Sequence, residues 1–152
     1  MPSALQRPHV LIVSDDRDLS DFLGEGLVYV GFWTSVIASA LQAIEVFRLR
    51  SFDAMLIDSA IGGIGAVELV RRLRDGDGRA GGTPRTDIPI LAIGENSANV
   101  AAVVTAGADQ GVVAPIELED LALAISQVVS GWRAAHPDRA WADAAALAQP
   151  ES

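Results

Sequence analysis

Two apolar runs in this chain each lead into aspartate, a pattern that can build a site for metal or phosphoryl chemistry. Residues 9–13 lead into a Ser-Asp-Asp turn at 14–16, and residues 54–57 lead directly into Asp58. If the two runs are neighbouring parallel strands, their carboxyl ends meet at one edge of a sheet, where open α/β sheets place their sites. Carboxylates clustered there can hold a divalent cation, and one of them can accept a phosphoryl group.

The charge and composition of the chain limit its partners. All 11 basic residues are arginine, and the formal net charge is −9 at pH 7. Such a charge repels nucleic-acid phosphates and anionic membrane surfaces, so we expect no nucleic acid and no membrane among the partners. The sequence has no cysteine for disulfides or thiolate metal sites, and no signal-peptide pattern or long apolar span. We therefore expect a cytoplasmic protein.

Short apolar runs alternate along the chain with longer helix-like runs. Strands are predicted near residues 9–14, 32–37, 53–58, 88–93 and 110–114. Helices are predicted near residues 18–30, 39–50, 65–74, 97–106 and 117–133, with N-caps at Asp18 and Ser97 and helix-ending glycines at Gly31 and Gly107. This alternation predicts an α/β fold, a doubly wound five-stranded parallel sheet with helices on both faces.

The length of 152 residues suggests one domain. We divide the chain into an N-terminal arm at 1–8, a domain at 9–133 and a C-terminal tail at 134–152. Pro137 breaks the last predicted helix, and the tail has an alanine-rich stretch at 138–149 that can form a short helix. We expect no output domain after the fifth helix, because only the tail remains.

Three segments, in their order and spacing, resemble one signalling family. Residues 52–74 (FDAMLIDSAIGGIGAVELVRRLR) resemble a phosphoacceptor strand, loop and third helix. Residues 9–32 (HVLIVSDDRDLSDFLGEGLVYVGF) resemble a first strand, acidic turn and first helix, and residues 105–115 (TAGADQGVVAP) resemble a fourth-helix end, fifth strand and following proline. The family is the receiver domain of bacterial two-component response regulators, and the resemblance covers about residues 8–130. It implies the flavodoxin-like (βα)5 receiver arrangement.

The resemblance also implies a chemistry. In this family a histidine kinase or phosphotransfer protein passes a phosphoryl group to one aspartate, with Mg²⁺ bound beside it. The acceptor position falls on Asp58, and the metal ligands fall on Asp15, Asp58 and the backbone carbonyl of Ala60, with Asp16 as a secondary candidate. Mg²⁺ prefers such oxygen ligands and retains several waters. The module would not be an enzyme, beyond catalysing its own aspartyl phosphorylation.

Five positions depart from the pattern of the family. Ser14 stands at the first position of the acidic pair, and Gly62 stands where a proline follows the acceptor. Gly94 replaces a hydroxyl residue at the end of the fourth strand, Gly111 an aromatic switch residue, and Ala114 a lysine that pairs with the phosphoryl oxygens. In the family the last three groups carry activation to the surface of the fourth helix, fifth strand and fifth helix. We therefore expect an atypical receiver.

The predicted fourth and fifth helices are apolar beyond one face. The fourth helix is apolar around much of its circumference, and the fifth carries Leu123 and Ala124 away from its core stripe. No basic residue occurs between Arg85 and Arg133. Exposed apolar surface of this kind marks interaction sites. We expect a homodimer or a partner at this fourth-helix/fifth-helix face, through which receivers commonly pair.

Three functions remain open at this point. The first is a two-component receiver, phosphorylated on Asp58 with Mg²⁺ or working as a degenerate receiver through protein–protein contacts. The alternative is a phosphorylation-independent dimeric scaffold. The third, a small flavodoxin-like enzyme or nucleotide binder, is disfavoured because no glycine-rich phosphate loop follows the first strand and aromatic residues for a flavin are few.

Overall fold

The computed structural model describes residues 7–75 and 86–138. The strands are β1 His9–Val13, β2 Trp33–Ile37, β3 Ala54–Asp58, β4 Ile90–Gly94 and β5 Gln110–Val113. The helices are α1 Arg17–Tyr29, α2 Ala40–Val46, α3 Gly65–Asp75, α4 Ser97–Ala106 and α5 Leu118–Ala135. The helix predicted in the tail at 138–149 lies outside the described residues, which end at 138.

The five described strands form one parallel sheet in the order β2-β1-β3-β4-β5. Strands β1 and β3 are direct neighbours, with Val13 level with Ile57. Strand β3 is central, and its last residue, Asp58, is level with Ile93 of β4. The predicted doubly wound fold is therefore confirmed, and the two strands that lead into aspartate end side by side.

Burial on both faces explains why β1 and β3 read as unbroken apolar runs. Every residue of both strands is buried. Alternate side chains point to opposite faces, so Leu11 and Met55 pack with helices α2, α3 and α4, whereas Val10 and Leu56 pack with α1 and α5. Full burial of one such side chain stabilises the fold by roughly 1.5–3 kcal/mol. The two cores hold the strand ends, and hence the aspartates, in a fixed register.

The ends of the helices correct three details of the prediction. The predicted N-caps Asp18 and Ser97 are wrong, because Asp16 caps α1 and Asn96 caps α4. Each of these side chains accepts a hydrogen bond from the backbone N–H three residues later, at 3.1 and 3.0 Å respectively. Helix α2 ends at residue 46 and not near 50. Gly107 follows α4 with φ of +137°, as a helix-ending glycine should.

None of the described helices is both long enough and apolar enough to cross a membrane.

Candidate functional site

Asp58 ends the central strand with its carboxylate held on both oxygens. The residue is only 6% exposed. Its Oδ2 accepts a hydrogen bond from the Ser14 hydroxyl at 2.7 Å, and its Oδ1 accepts one from the backbone N–H of Ala60 at 2.9 Å. Burial of a carboxylate is costly unless hydrogen bonds compensate it. These two donors therefore fix the orientation of the side chain.

Ser14 is a buried bridge between the ends of β1 and β3. Its hydroxyl oxygen accepts a hydrogen bond from the backbone N–H of Asp16 at 3.1 Å while its proton goes to Asp58. Its carbonyl oxygen accepts a hydrogen bond from the hydroxyl of Ser20 in α1, at 3.3 Å. The sequence interpretation treated Ser14 only as the loss of an acidic residue, and it missed this role as a partner of Asp58.

The carboxylates of Asp15 and Asp16 bind different parts of the fold although the two residues are adjacent in sequence. Asp15 is exposed, and its Oδ2 accepts a hydrogen bond from the backbone N–H of Gly62 at 3.0 Å, which ties the β1–α1 loop to the β3–α3 loop. Asp16 uses its side chain to cap α1. The structure therefore brings the loop of Asp15 to the Asp58 edge, whereas the Asp16 carboxylate serves the helix.

The donor set at this edge is compatible with Mg²⁺ but sparse. Within residues 7–75 and 86–138, no group of three or more His, Cys, Asp or Glu side chains is placed to hold a metal ion. A carboxylate offers about four lone-pair positions. Asp58 uses two of them and Asp15 one in described hydrogen bonds. Oxygen donors thus remain for an ion that takes one or two carboxylates and keeps several waters, as Mg²⁺ does.

Two glycines on β4 and β5 are covered by neighbouring side chains. A Cβ at Gly94 would overlap the hydroxyl of Ser59 and lie 3.3 Å from Cγ2 of Val100. A Cβ at Gly111 would overlap Cγ1 of Val100 and lie 3.1 Å from Cγ2 of Val104. The space above these glycines is filled by Ser59 and by α4, so no aromatic side chain could occupy position 111 without moving the helix.

The described arginines are concentrated at the opposite edge of the sheet. They lie before β1 and at the carboxyl ends of α2, α3 and α5, with the exception of Arg17 at the start of α1. No ion pair among the described residues joins an arginine to Asp58 or Asp15. At the site edge, the edge of the sheet where Asp58 and Asp15 lie, these two carboxylates therefore have no cationic partner from the described part of the chain.

A cavity of about 220 Å³ opens beside Asp15, between the β2–α2 and β3–α3 loops. Its lining consists of Asp15, Ala38, Ser39, Ala40, Leu41, Gly62, Gly63 and Ile64. This opening leaves the Asp15 side of the edge accessible to ions and small molecules.

The sequence profile described as response regulator receiver domain matches residues 10–126. This chain belongs to that receiver family. The receiver is 30% identical over 135 residues to the phosphate regulon transcriptional regulatory protein PhoB of Rhizobium meliloti, covering 86% of this chain and 55% of that protein. It is 27% identical over 114 residues to the transcriptional regulatory protein CseB of Streptomyces avermitilis, covering 74% of this chain and 45% of that protein. The receiver thus spans about half the length of these relatives.

Solved structures agree with the fold. A putative response regulator from Chloroflexus aurantiacus matches with a TM-score of 0.72 and 25% identity, over 81% of this chain and 98% of that chain. The receiver domain of sensor histidine kinase PA1611 from Pseudomonas aeruginosa, whose structure has a magnesium ion coordinated in the active site cleft, matches with a TM-score of 0.71 and 17% identity. That match covers 81% of this chain and 98% of the other, and it supports the fold alone. The family and fold predicted from the sequence are confirmed.

Proposed function

We propose that this receiver accepts a phosphoryl group on Asp58 from a histidine kinase or a phosphotransfer protein. The observation that carries the proposal is the buried Asp58 carboxylate, oriented by Ser14 and Ala60 at the end of the central strand with the Asp15 loop beside it. A carboxylate oxygen attacks the phosphorus atom, a phosphorus–oxygen bond forms, and the phosphorus–nitrogen bond of the donor phosphohistidine breaks. The imidazole leaves and takes up a proton.

Some residues of this chain would orient the Asp58 carboxylate, and others would hold the cation that balances the charge of the phosphoryl group. Ser14 and Ala60 hold the carboxylate in one orientation, which lowers the entropic cost of in-line attack. Asp15, Asp58 and the Ala60 carbonyl are the groups that would hold Mg²⁺, which when bound supplies positive charge beside the transferred group. Asp16 would support the site indirectly, because its backbone N–H donates to the Ser14 hydroxyl.

The charge of the site edge indicates the kind of phosphodonor. The acidic residues that follow strands or begin helices there are Asp15, Asp16, Asp18, Asp58, Glu95, Glu117, Glu119 and Asp120. Such an edge slows the approach of anionic small-molecule donors and favours a protein donor with a basic docking surface. We expect the rate of phosphorylation by acetyl phosphate to rise with ionic strength, because salt screens this repulsion.

The test is the intact mass of the protein after incubation with acetyl phosphate and Mg²⁺. The near-isosteric variant Asp58→Asn is the control, since it removes the nucleophilic oxygen and keeps the side-chain shape. We expect a phosphate-sized gain in the parent and none in the variant. A gain of equal size in both proteins would place the phosphoryl group elsewhere, and no gain in either would remove the proposal.

A phosphorylation-independent scaffold is the second candidate function. It is favoured by one observation, that both oxygens of Asp58 already have hydrogen-bond donors while Val100 packs tightly over Gly94 and Gly111. A receiver of this kind keeps one conformation and acts through its surface. If the parent takes up no phosphoryl group, and Asp58→Asn leaves partner binding unchanged, this second function would replace the first.

The surface that a scaffold would use is the α4–β5–α5 face. Val113 of β5 is 45% exposed and Leu123 of α5 is 57% exposed, and Ala101 and Ala102 of α4 are exposed as well. We propose that a second copy of the chain or a partner protein covers this face. Sedimentation velocity at micromolar concentration should show a dimer that Leu123→Glu dissociates, whereas a monomeric parent would contradict the homodimer.

A further inference from the structure

Ser59 occupies the space that a side chain at position 94 would need. Its backbone N–H donates to the carbonyl oxygen of Ile93 at 2.8 Å, which extends the β3–β4 pairing one residue beyond Asp58. This bond fixes the backbone of Ser59 at the edge of the sheet. Its hydroxyl then lies directly over Gly94, so close that a Cβ there would overlap it. Glycine at 94 and serine at 59 therefore fit together as a pair.

The hydroxyl of Ser59, the residue that follows Asp58, is a donor without a hydrogen-bond acceptor among the described residues. The Ser14 hydroxyl and the Ala60 N–H already donate to the two carboxylate oxygens. Ser59 is half-buried, and its hydroxyl makes no hydrogen bond to another residue in the described part of the chain. A transferred phosphoryl group brings three strong acceptor oxygens. The chain contains no lysine to meet them.

We propose that the Ser59 hydroxyl donates a hydrogen bond to the phosphoryl group on Asp58, an inference that rests on the proposed function. Two neighbours constrain this donor. The backbone of Ser59 is held by Ile93, and the absence of a side chain at Gly94 leaves its hydroxyl room at the edge. Charge-assisted hydrogen bonds of this type are roughly twice as strong as neutral ones, so their loss has a measurable effect on the transfer rate.

The experiment follows the time course of phosphorylation by acetyl phosphate and Mg²⁺, measured by intact mass. We expect Ser59→Ala to slow the reaction roughly tenfold or more, since it removes a hydrogen bond to a charged group. The matched control, Ser130→Ala on the exposed surface of α5, should react at the parental rate. Ser59→Cys, which keeps the side-chain size but is a weak donor, should be slow like Ser59→Ala.

A double variant separates donation from packing. Ser59→Ala combined with Gly94→Ser moves the hydroxyl to β4 without the overlap, and we expect it to recover most of the parental rate. A structural role for Ser59 would give no such recovery and would lower the thermal midpoint of Ser59→Ala, which we expect to match the parent. Parental rates in Ser59→Ala would overturn this inference and leave Asp58 as the acceptor. A parent that takes up no phosphoryl group would overturn the proposed function and this inference together.

Discussion

The hydroxyl of Ser14 donates a hydrogen bond to the Asp58 carboxylate, with 2.7 Å between Ser14 Oγ and Asp58 Oδ2. The two residues are 44 positions apart in the sequence, and both are buried at the ends of adjacent strands. Ser14 stands where the family has an acidic residue, and it donates a hydrogen bond to Asp58, the candidate phosphoacceptor. This exchange replaces a repulsive carboxylate pair with a hydrogen bond from an uncharged hydroxyl to a carboxylate.

Ser14→Ala should destabilise the fold by about 2 kcal/mol, because it leaves a buried carboxylate oxygen without its donor. Urea denaturation of parent and variant measures the change. In an Asp58→Ala background the same substitution should cost much less, since the acceptor is gone. Equal costs in both backgrounds would mean that Ser14 acts through packing. Ser130→Ala, which changes an exposed serine, is the control.

Ser14→Asp should turn the edge into a stronger cation site. A further carboxylate against buried Asp58 adds like-charge repulsion, which lowers the thermal midpoint without metal. Addition of Mg²⁺ should raise the midpoint of the variant more than that of the parent, since a ligand that binds only the folded state stabilises it.

Thermal unfolding at several Mg²⁺ concentrations measures this difference. Asp15→Asn in the Ser14→Asp background should weaken the response, because it removes a proposed ligand. Asp21→Asn, an exposed acid in α1, should leave the response unchanged. A Mg²⁺ response that survives Asp15→Asn in full would remove Asp15 from the ligand set.

The sheet was predictable because its pattern is local, whereas several contacts of the site depend on side chains distant in sequence. The apolar runs of β1 and β3 indicate strands buried on both faces, and they place Asp15 and Asp58 at one edge. The cap of α1 was missed, since Asp16 and Asp18 are both capping residue types two positions apart. The Ser14–Asp58 bond depends on strand register and rotamer, which no single-sequence pattern specifies.

The fit of Ser59 over Gly94 was hidden for a related reason. A glycine in a strand predicts a close approach by some other group. It does not say which group approaches, and here one neighbour, Ser59, follows the adjacent strand while the other, Val100, comes from α4. The sequence therefore identified position 94 as unusual, and the structure was needed to identify what fills it.

Gly111→Ala should destabilise the protein by about 1–3 kcal/mol, because the added methyl group overpacks the contact between β5 and α4. The new Cβ would overlap Cγ1 of Val100 and approach Cγ2 of Val104. Val100→Ala removes the overlapping atoms, so the double variant should be more stable than the sum of the two single costs predicts. A double-mutant cycle in urea measures this coupling, and simple additivity would show that α4 moves freely away from β5.

Glu68 should give the stability of α3 a small pH dependence. A hydrogen bond from Arg72 lowers the pKa of the Glu68 carboxyl below its ordinary value of 4.5, and the charges of Arg72 and Arg71 act in the same direction. A lowered folded-state pKa adds stability that is present above the unfolded pKa and is lost as pH falls through the folded value. In Glu68→Gln, the urea midpoint should depend less on pH than in the parent below about pH 4.5.

High salt should reduce the difference in pH dependence between the parent and Glu68→Gln, because the carboxyl group is exposed and salt screens its ion pairs. Glu45→Gln is a suitable comparison, since Glu45 of α2 forms a more exposed pair with Arg48. A pH profile of Glu68→Gln that matches the parent at low salt would show that the pairs on α3 add nothing to stability.

Arg74 should be intolerant of lysine because its guanidinium binds three separate groups at the edge opposite the site. Its Nε donates to the carbonyl of Gly107 at 3.1 Å, its Nη1 to the carbonyl of Thr86 at 3.2 Å, and its Nη2 to the carboxylate of Asp109 at 2.9 Å. A lysine ammonium cannot reproduce this planar fork. We expect Arg74→Lys to cost about 2 kcal/mol, because the partly buried carbonyls of Gly107 and Thr86 lose hydrogen bonds from a charged donor.

The control for Arg74→Lys is Arg71→Lys, since Arg71 is an exposed residue of the same helix whose pair with Glu68 a lysine can partly replace. It should change the free energy of unfolding by less than about 0.5 kcal/mol. Because Asp109 also accepts a hydrogen bond from the backbone N–H of Ile90 at 2.7 Å, loss of the fork should loosen the start of β4. Hydrogen exchange would detect this as faster exchange at Ile90 in Arg74→Lys, and unchanged exchange there would show that the start of β4 does not depend on Arg74.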